Sequence, residues 1–157
     1  MANYTLRILT KSDAVFGSGS GMNSQVDIEI QHDSYGCPFL GGKAIKGLLD
    51  DECANILFSL YKQNKLGKWP EIVACLFGMP GSGLQEGGCV RFGNAQLPPL
   101  LRQAIVNEVK NGRIRPDEVL KSLTSIRYQT AINYETGAAE DKSLRSKQIL
   151  LREIPLE

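Results

Sequence analysis

Three carboxylates, Asp27, Glu29 and Asp33, fall within seven residues of one another. If residues 26–31 form a strand, Val26, Ile28 and Ile30 share one face while Asp27 and Glu29 share the other, towards water or a ligand. Two carboxylates so placed could hold a hard cation such as Mg²⁺ and support phosphoryl chemistry by neutralising charge on a phosphate. The same pattern also describes an ordinary solvated strand face. His32 is the single histidine, which excludes a two-histidine ribonuclease mechanism and leaves a Ser-His-Asp triad dependent on one imidazole in a turn. Cys37, Cys53, Cys75 and Cys89 stand 16, 22 and 14 apart without a C-x-x-C pair. Free buried thiols are the plain expectation; zinc held by three of them with His32 is conceivable, but the spacing does not support it.

Two glycine-rich stretches could approach a ligand. Residues 16–21, FGSGSG, hold three glycines and two serines, so the loop that includes Gly17 and Ser18 can hold positive φ at its glycines and bring backbone N–H groups close to a ligand. Residues 78–83, GMPGSG, resemble the front of a phosphate-binding loop, but Leu84 and Gln85 stand where that motif needs Lys and Ser or Thr, and the motif is rejected. Gly41 and Gly42 lead into the strongest helix signal of the chain, with Ile45, Leu48, Leu49, Cys53, Ile56, Leu57 and Leu60 at spacings of three and four. Lys43 and Lys46 fall in its first turn, where each cation opposes the helix dipole by about 0.3–1 kcal/mol. Either an anion compensates them there, or they are two solvated lysines.

The elements that must position these residues read as follows. Residues 4–10 alternate as a mostly buried strand, 26–31 as a second, and 32–38 form a turn by composition. After the long helix, Pro70 opens a short one through Phe77; residues 89–97 read as a strand, 98–110 as a helix closed by Asn111-Gly112, and 116–123 as a helix opened by Pro116. Residues 125–134 alternate again and feed the turn Glu135-Thr136-Gly137, followed by the one basic stretch, Lys142, Arg145, Lys147 and Arg152. That stretch is a solvated face or a nucleic-acid phosphate contact.

The chain of 157 residues, 42% hydrophobic and 22% charged, has the size and composition of one folded domain. Its net charge of +1 announces no global field for nucleic acid or membrane, so a basic surface must be local. No apolar run approaches the roughly 18 residues of a membrane span, and the first residues lack signal-peptide order. A cytoplasmic protein without a membrane partner is expected.

The run VDIEIQHDSYGCPFLGGKAIKGLLDDE, then LFGMPGSG followed by GCVRFGNAQLP, then SIRYQTAINYETGAAEDKSLRSKQ together resemble the RAMP-superfamily backbone subunits of type III CRISPR effector complexes, the type III-D group above all. The resemblance spans residues 8–153. It implies an α+β fold: a ferredoxin-like (RRM-type) βαββαβ core with insertions and a thumb β-hairpin, built by residues 1–157 as one RAMP-type domain or as its N-terminal portion. It implies a guide crRNA, a complementary target RNA and other effector subunits, further backbone copies included, as partners. Gly41, Gly42, Lys43, Lys46 and Gly47 look like the guide-backbone contact, with Gly17 and Ser18 in the preceding loop. Residues 127–145, with Arg127, Thr130, Tyr134 and Arg145, resemble the thumb that wedges between bases and splays a nucleotide. The family's target-cleaving aspartate falls on Asp27, with Asp33 and Glu29 as alternatives, and Asp27 would hold the divalent cation, Mg²⁺ by expectation. The protein would read duplex shape and leave sequence to base pairing.

Two departures accompany the resemblance. Gly41-Gly42-Lys43-Ala44 replaces a stretch more usually holding Pro with Arg or Ser, and the chain ends at Pro155-Leu156-Glu157 where family members continue, so an unpaired edge strand is expected there. The rival functional readings are a scaffold subunit that binds guide RNA and cuts nothing, and an unrelated small ferredoxin-like binding domain.

Overall fold

The computed structural model describes residues 3–17, 26–79, 87–140 and 143–157. The element order is β1 (Ile8–Leu9), α1 (Gly42–Lys62), α2 (Trp69–Phe77), α3 (Pro99–Lys110), α4 (Pro116–Leu123), β2 (Thr124–Gln129), β3 (Arg145–Leu150) and β4 (Pro155–Leu156). The class is the mixed helix-and-strand one expected from the sequence. The chain divides into two compact units, Met1–Leu40 with Ala95–Glu157, and Gly41–Asn94.

In the first unit β3 is the organising strand. It pairs antiparallel with β2 in a register from Thr124↔Leu150 to Gln129↔Arg145. On its other edge Ala14 and Leu150 exchange backbone bonds of 3.0 and 2.7 Å, and the Gln148 N–H donates to the Ile28 carbonyl at 2.9 Å. The Ile28↔Lys147 bridge there is parallel. The buried Gln148 side chain closes the arrangement: its Oε1 accepts the Ile30 N–H and its Nε2 donates to Thr124 Oγ1, so a polar group inside the unit has its partners. Leu150, Leu156, Ile30 and Leu97 are among the most deeply buried apolar side chains of this unit, and Cys37, Leu40, Ala95, Val119 and Ile149 are buried with them. β1 pairs with β4, so residues at the two ends of the chain meet.

The helix ends follow their punctuation. Pro99 and Pro116 occupy first helical positions, where a missing N–H costs nothing. Gly112 at φ +68 ends α3, its N–H donating to the Val109 carbonyl while Arg113 N–H reaches the Glu108 carbonyl, a Schellman-type stop. The Glu118 carboxylate accepts the Arg115 N–H at 2.8 Å at the start of α4.

In the second unit α1 packs on α2, and Phe77 stacks on Phe92 at 6.0 Å between ring centroids. The seven-residue stripe expected to be buried along α1 is only partly so. Ile45 is buried and Cys53, Leu57 and Leu60 are half-buried, whereas Leu48, Leu49 and Ile56 are exposed. One short neighbouring helix covers less than the width of that face.

Three strand readings are corrected. Of residues 4–10 only Ile8–Leu9 forms a strand, and Tyr4, Leu6 and Leu9 are exposed rather than buried, because β4 offers just two residues to pair with. Residues 26–31 and 89–97 are held by isolated bridges at Ile28, Ile30 and Ala95, since each meets its partner backbone too briefly for a ladder. Four buried thiols were also expected; only Cys37 is buried, and Cys75 and Cys89 are exposed.

Candidate nucleic-acid interface

Asp27 sits on the segment that runs along β3, and its exposed carboxylate is aimed by Ser146. Its Oδ2 accepts the Ser146 N–H at 2.6 Å and the Ser146 hydroxyl at 3.1 Å, and the Asp27 N–H donates back to the Ser146 carbonyl at 3.1 Å. The backbone and hydroxyl bonds from Ser146, with a further contribution from the Arg145 charge, hold the Asp27 carboxyl below its ordinary value of 3.8, since donors to the charged form favour it. Asp27 is therefore an anion at neutral pH, fixed in direction and open to solvent. Ser146→Ala is expected to move the Asp27 pKa upward towards 3.8 without removing the backbone bond; carbon-detected NMR titration of the carboxyl would read the shift.

The two alternative carboxylates stand differently. Asp33 Oδ1 accepts the Tyr35 and Cys37 N–H groups at 2.9 and 3.1 Å, and its Oδ2 pairs with Arg102 at 2.7 Å. Both of its oxygens are thus engaged, one by the turn of residues 32–38 and the other by Arg102 on α3. Glu29 is half-buried. Among the described residues no group of three or more His, Cys, Asp or Glu gathers as a metal cage.

Beyond Gln129 and Arg145 the β2–β3 ribbon continues as an exposed hairpin, bridged at Ile132↔Ala139. Its tip turns at Gly137, φ +66, with Asn133 Oδ1 accepting the Glu135 and Thr136 N–H groups. Tyr134 at the tip is fully exposed at 103%, and Tyr128, Ile132 and Leu144 also lie open. Thr130 Oγ1 bonds Ser143 Oγ at 2.7 Å across the ribbon, which stiffens its neck. Arg127 pairs with Asp13, and Asp13 Oδ1 also accepts the Arg152 N–H; this arginine braces the base of the hairpin. Arg145 is exposed. Gly17 bridges Ile30, and a Cβ there would lie 3.3 Å from Ile28 Cγ2. Ser18 lies outside the described residues.

Gly41, Gly42, Lys43 and Lys46 belong to the second unit. Gly41 is the extended N-cap of α1, without a side-chain cap. Gly42 has a structural reason of its own: its N–H donates to Asn94 Oδ1 at 2.9 Å, and a Cβ would lie 2.3 Å from the Phe92 carbonyl oxygen. Lys43 is exposed and Lys46 half-exposed, and neither makes an ion pair with a described residue. No acidic side chain stands in that first turn, so the electrostatic imbalance read from the sequence is present in the fold.

Sequence spacing could not have found Ser146, Asn94, Asp13 or Ser143. Ser146 lies 119 residues from Asp27, and only the tertiary pairing of β3 brings it there.

A chain of mixed helices and short strands, with a projecting hairpin and an anchored surface carboxylate beside its base, is the class of protein that these features define. The profile of the RAMP superfamily matches residues 7–157, and the chain belongs to that superfamily. No curated protein matches it by sequence. Among solved structures its fold is similar to that of the type III-B Cmr-beta bound to cognate target RNA, with a TM-score of 0.61 at 10% identity, covering 96% of this chain and 80% of that one. Among the described residues no helix is long and apolar enough to cross a membrane.

Proposed function

We propose that this chain is a cytoplasmic backbone subunit of a type III CRISPR effector, of III-D kind, that binds guide crRNA and cleaves the paired target RNA at Asp27. The observation that carries the reading is the solvent-open, ionised Asp27 carboxylate held by Ser146 on the parallel edge of β3, on the strand from which the exposed hairpin projects. RAMP membership and the similarity to a structure bound to target RNA support it. The parallel pairing of Ile28 with Lys147 beside the antiparallel β2–β3 pair is compatible with a ferredoxin-like core, in which strands pair in both senses.

The roles follow from the geometry. Tyr134 and its apolar neighbours form a wedge whose rings can stack on bases, while Thr130 and Ser143 keep the neck stiff and Arg145 offers charge to phosphate. Lys43 and Lys46 supply guide-phosphate contacts in the second unit. Asp27 fits Mg²⁺, which binds through one or two carboxylates together with substrate phosphates; a splayed phosphate and Asp27 would be its ligands. Mg²⁺ bound there would neutralise phosphate charge. The neighbouring 2′-hydroxyl would attack the phosphorus, forming the bond from the 2′-oxygen and breaking that to the 5′-oxygen; its proton would pass to water, and the departing 5′-oxygen would take one from water. Partners are the guide, the target, other effector subunits and further copies of this chain; no membrane takes part.

The scaffold reading is favoured by one observation, that the Ser146 bonds to Asp27 also pin residues 26–31 against β3. The reconstituted complex decides for or against RNA contact: ultraviolet cross-linking of guide and target is expected to label the hairpin of residues 124–150, Tyr134 first. Cross-links that avoid this hairpin and α1 altogether would overturn the reading. Lys43→Ala with Lys46→Ala is expected to lower the slope of log affinity against log salt for guide RNA by about 1–2, read as guide retention over a KCl series.

A further inference from the structure

Cys75 and Cys89 are brought together by backbone, not by chance contact of long side chains. The Cys89 N–H donates to the Cys75 carbonyl at 2.9 Å, and the Val90 N–H to the Leu76 carbonyl at 3.2 Å. Gly88 is what permits the approach, since a Cβ there would lie 2.2 Å from the Leu76 carbonyl oxygen. These two bonds hold the Cys89 backbone against the last turn of α2, so the two side chains leave the chain from neighbouring points. The two sulfurs stand 3.9 Å apart, and both residues are exposed to an incoming reagent.

We propose that Cys75 and Cys89 form a reversible intrachain disulfide by exchange with a low-molecular-weight disulfide. Cys75 Sγ and Cys89 Sγ are within reach of each other, so either sulfur can attack first and the other resolve, with the same product; the steps for Cys89 first are these. In the first step the Cys89 thiolate forms a bond to one reagent sulfur and expels the other as a thiolate. In the second, the Cys75 thiolate attacks Cys89 Sγ and expels the remaining reagent thiolate. Two protein thiols are oxidised to one disulfide, the reagent is reduced to two thiols, and the protons given up by the cysteines are taken by the released thiolates. The product closes the chain from residue 75 to residue 89 into a covalent ring within the second unit. Cys37 supplies the contrast: burial pushes its thiol up, with the Asp33 charge adding to the effect, and it should not exchange.

Both cysteines lie in one tryptic peptide, residues 69–91, so the test is direct. The purified full chain is equilibrated with graded ratios of oxidised to reduced glutathione, alkylated, digested and weighed. Peptide 69–91 is expected to lose both alkylations together and to become two hydrogens lighter, at an oxidising ratio about tenfold below the one that places glutathione on Cys53, because the second thiol attacks at high effective concentration. Cys89→Ser should abolish the lighter species and leave, at most, a glutathione adduct on Cys75. Separate glutathione adducts on both sulfurs, full alkylation at ratios that already modify Cys53, or a cross-link between chains in place of the ring would each overturn the proposal.

Discussion

In the reconstituted complex, Asp27→Ala is expected to slow one target cut by about 10²- to 10³-fold, the span for removing one group that stabilises charge at the reacting centre, and to spare cuts made by other subunits. Guide retention should be unchanged, because Asp27 is assigned to the target phosphate and not to the guide. Alanine alone would leave a doubt, since the Ser146 bonds also hold residues 26–31 in place. Asp27→Asn resolves it: the amide oxygen can still accept from Ser146, so the segment stays anchored while the negative charge is lost. Both variants should lose the same cut on an end-labelled complementary RNA with Mg²⁺. If both maps match the native one, the subunit is a scaffold or the cut belongs to Glu29, because the Asp33 oxygens are committed to its turn and to Arg102.

The pH dependence has a definite sign. A carboxyl depressed in the fold contributes stability above its unfolded value of 3.8 and loses it as pH falls through the lower folded value. Protonation of Asp27 should accordingly affect neither cutting nor the local anchoring between neutral pH and about 4. A cut that fades already at pH 6 would point to another group.

The helices were legible because their signals are local. Pro70, Pro99 and Pro116 stand at their starts, and Asn111-Gly112 stops α3 where composition placed it. The hairpin was legible for the same reason: alternation from Ser125 and a Gly137 turn need no distant partner. The remaining strands were not, since an alternating run such as residues 4–10 becomes a strand only to the length its partner allows, and β4 is two residues long. The candidate site divides likewise. Asp27 was reachable as a carboxylate in a suggestive run, but its anchoring by Ser146 is a tertiary fact with no spacing signature. Asp33 looked equivalent to it until the turn amides and Arg102 accounted for both oxygens.

Gly36→Ala is expected to be the most damaging single-methyl change in the first unit. Gly36 adopts φ +78, and a Cβ there would lie 1.9 Å from the Pro116 carbonyl oxygen and 2.8 Å from its carbon. The left-handed backbone alone costs an L-residue about 1–2 kcal/mol. The contact is with backbone in the first turn of α4, which cannot swing away as a side-chain tip would, so the turn or the helix start must move. Moving the turn strains the bonds by which Asp33 caps Tyr35 and Cys37; moving α4 disturbs Val119 in the core. A total loss of about 3–5 kcal/mol follows, a large part of the roughly 5–15 kcal/mol by which a domain is stable, with a fall in Tm on the order of 10 °C. Gly137→Ala is the matched control, with φ +66 and nothing within 4 Å of the added Cβ, so it carries the backbone strain without the collision. Urea unfolding of both variants should separate them by about 2 kcal/mol or more; equal losses would mean that Pro116 yields and that the conformation at residue 36 is the whole cost.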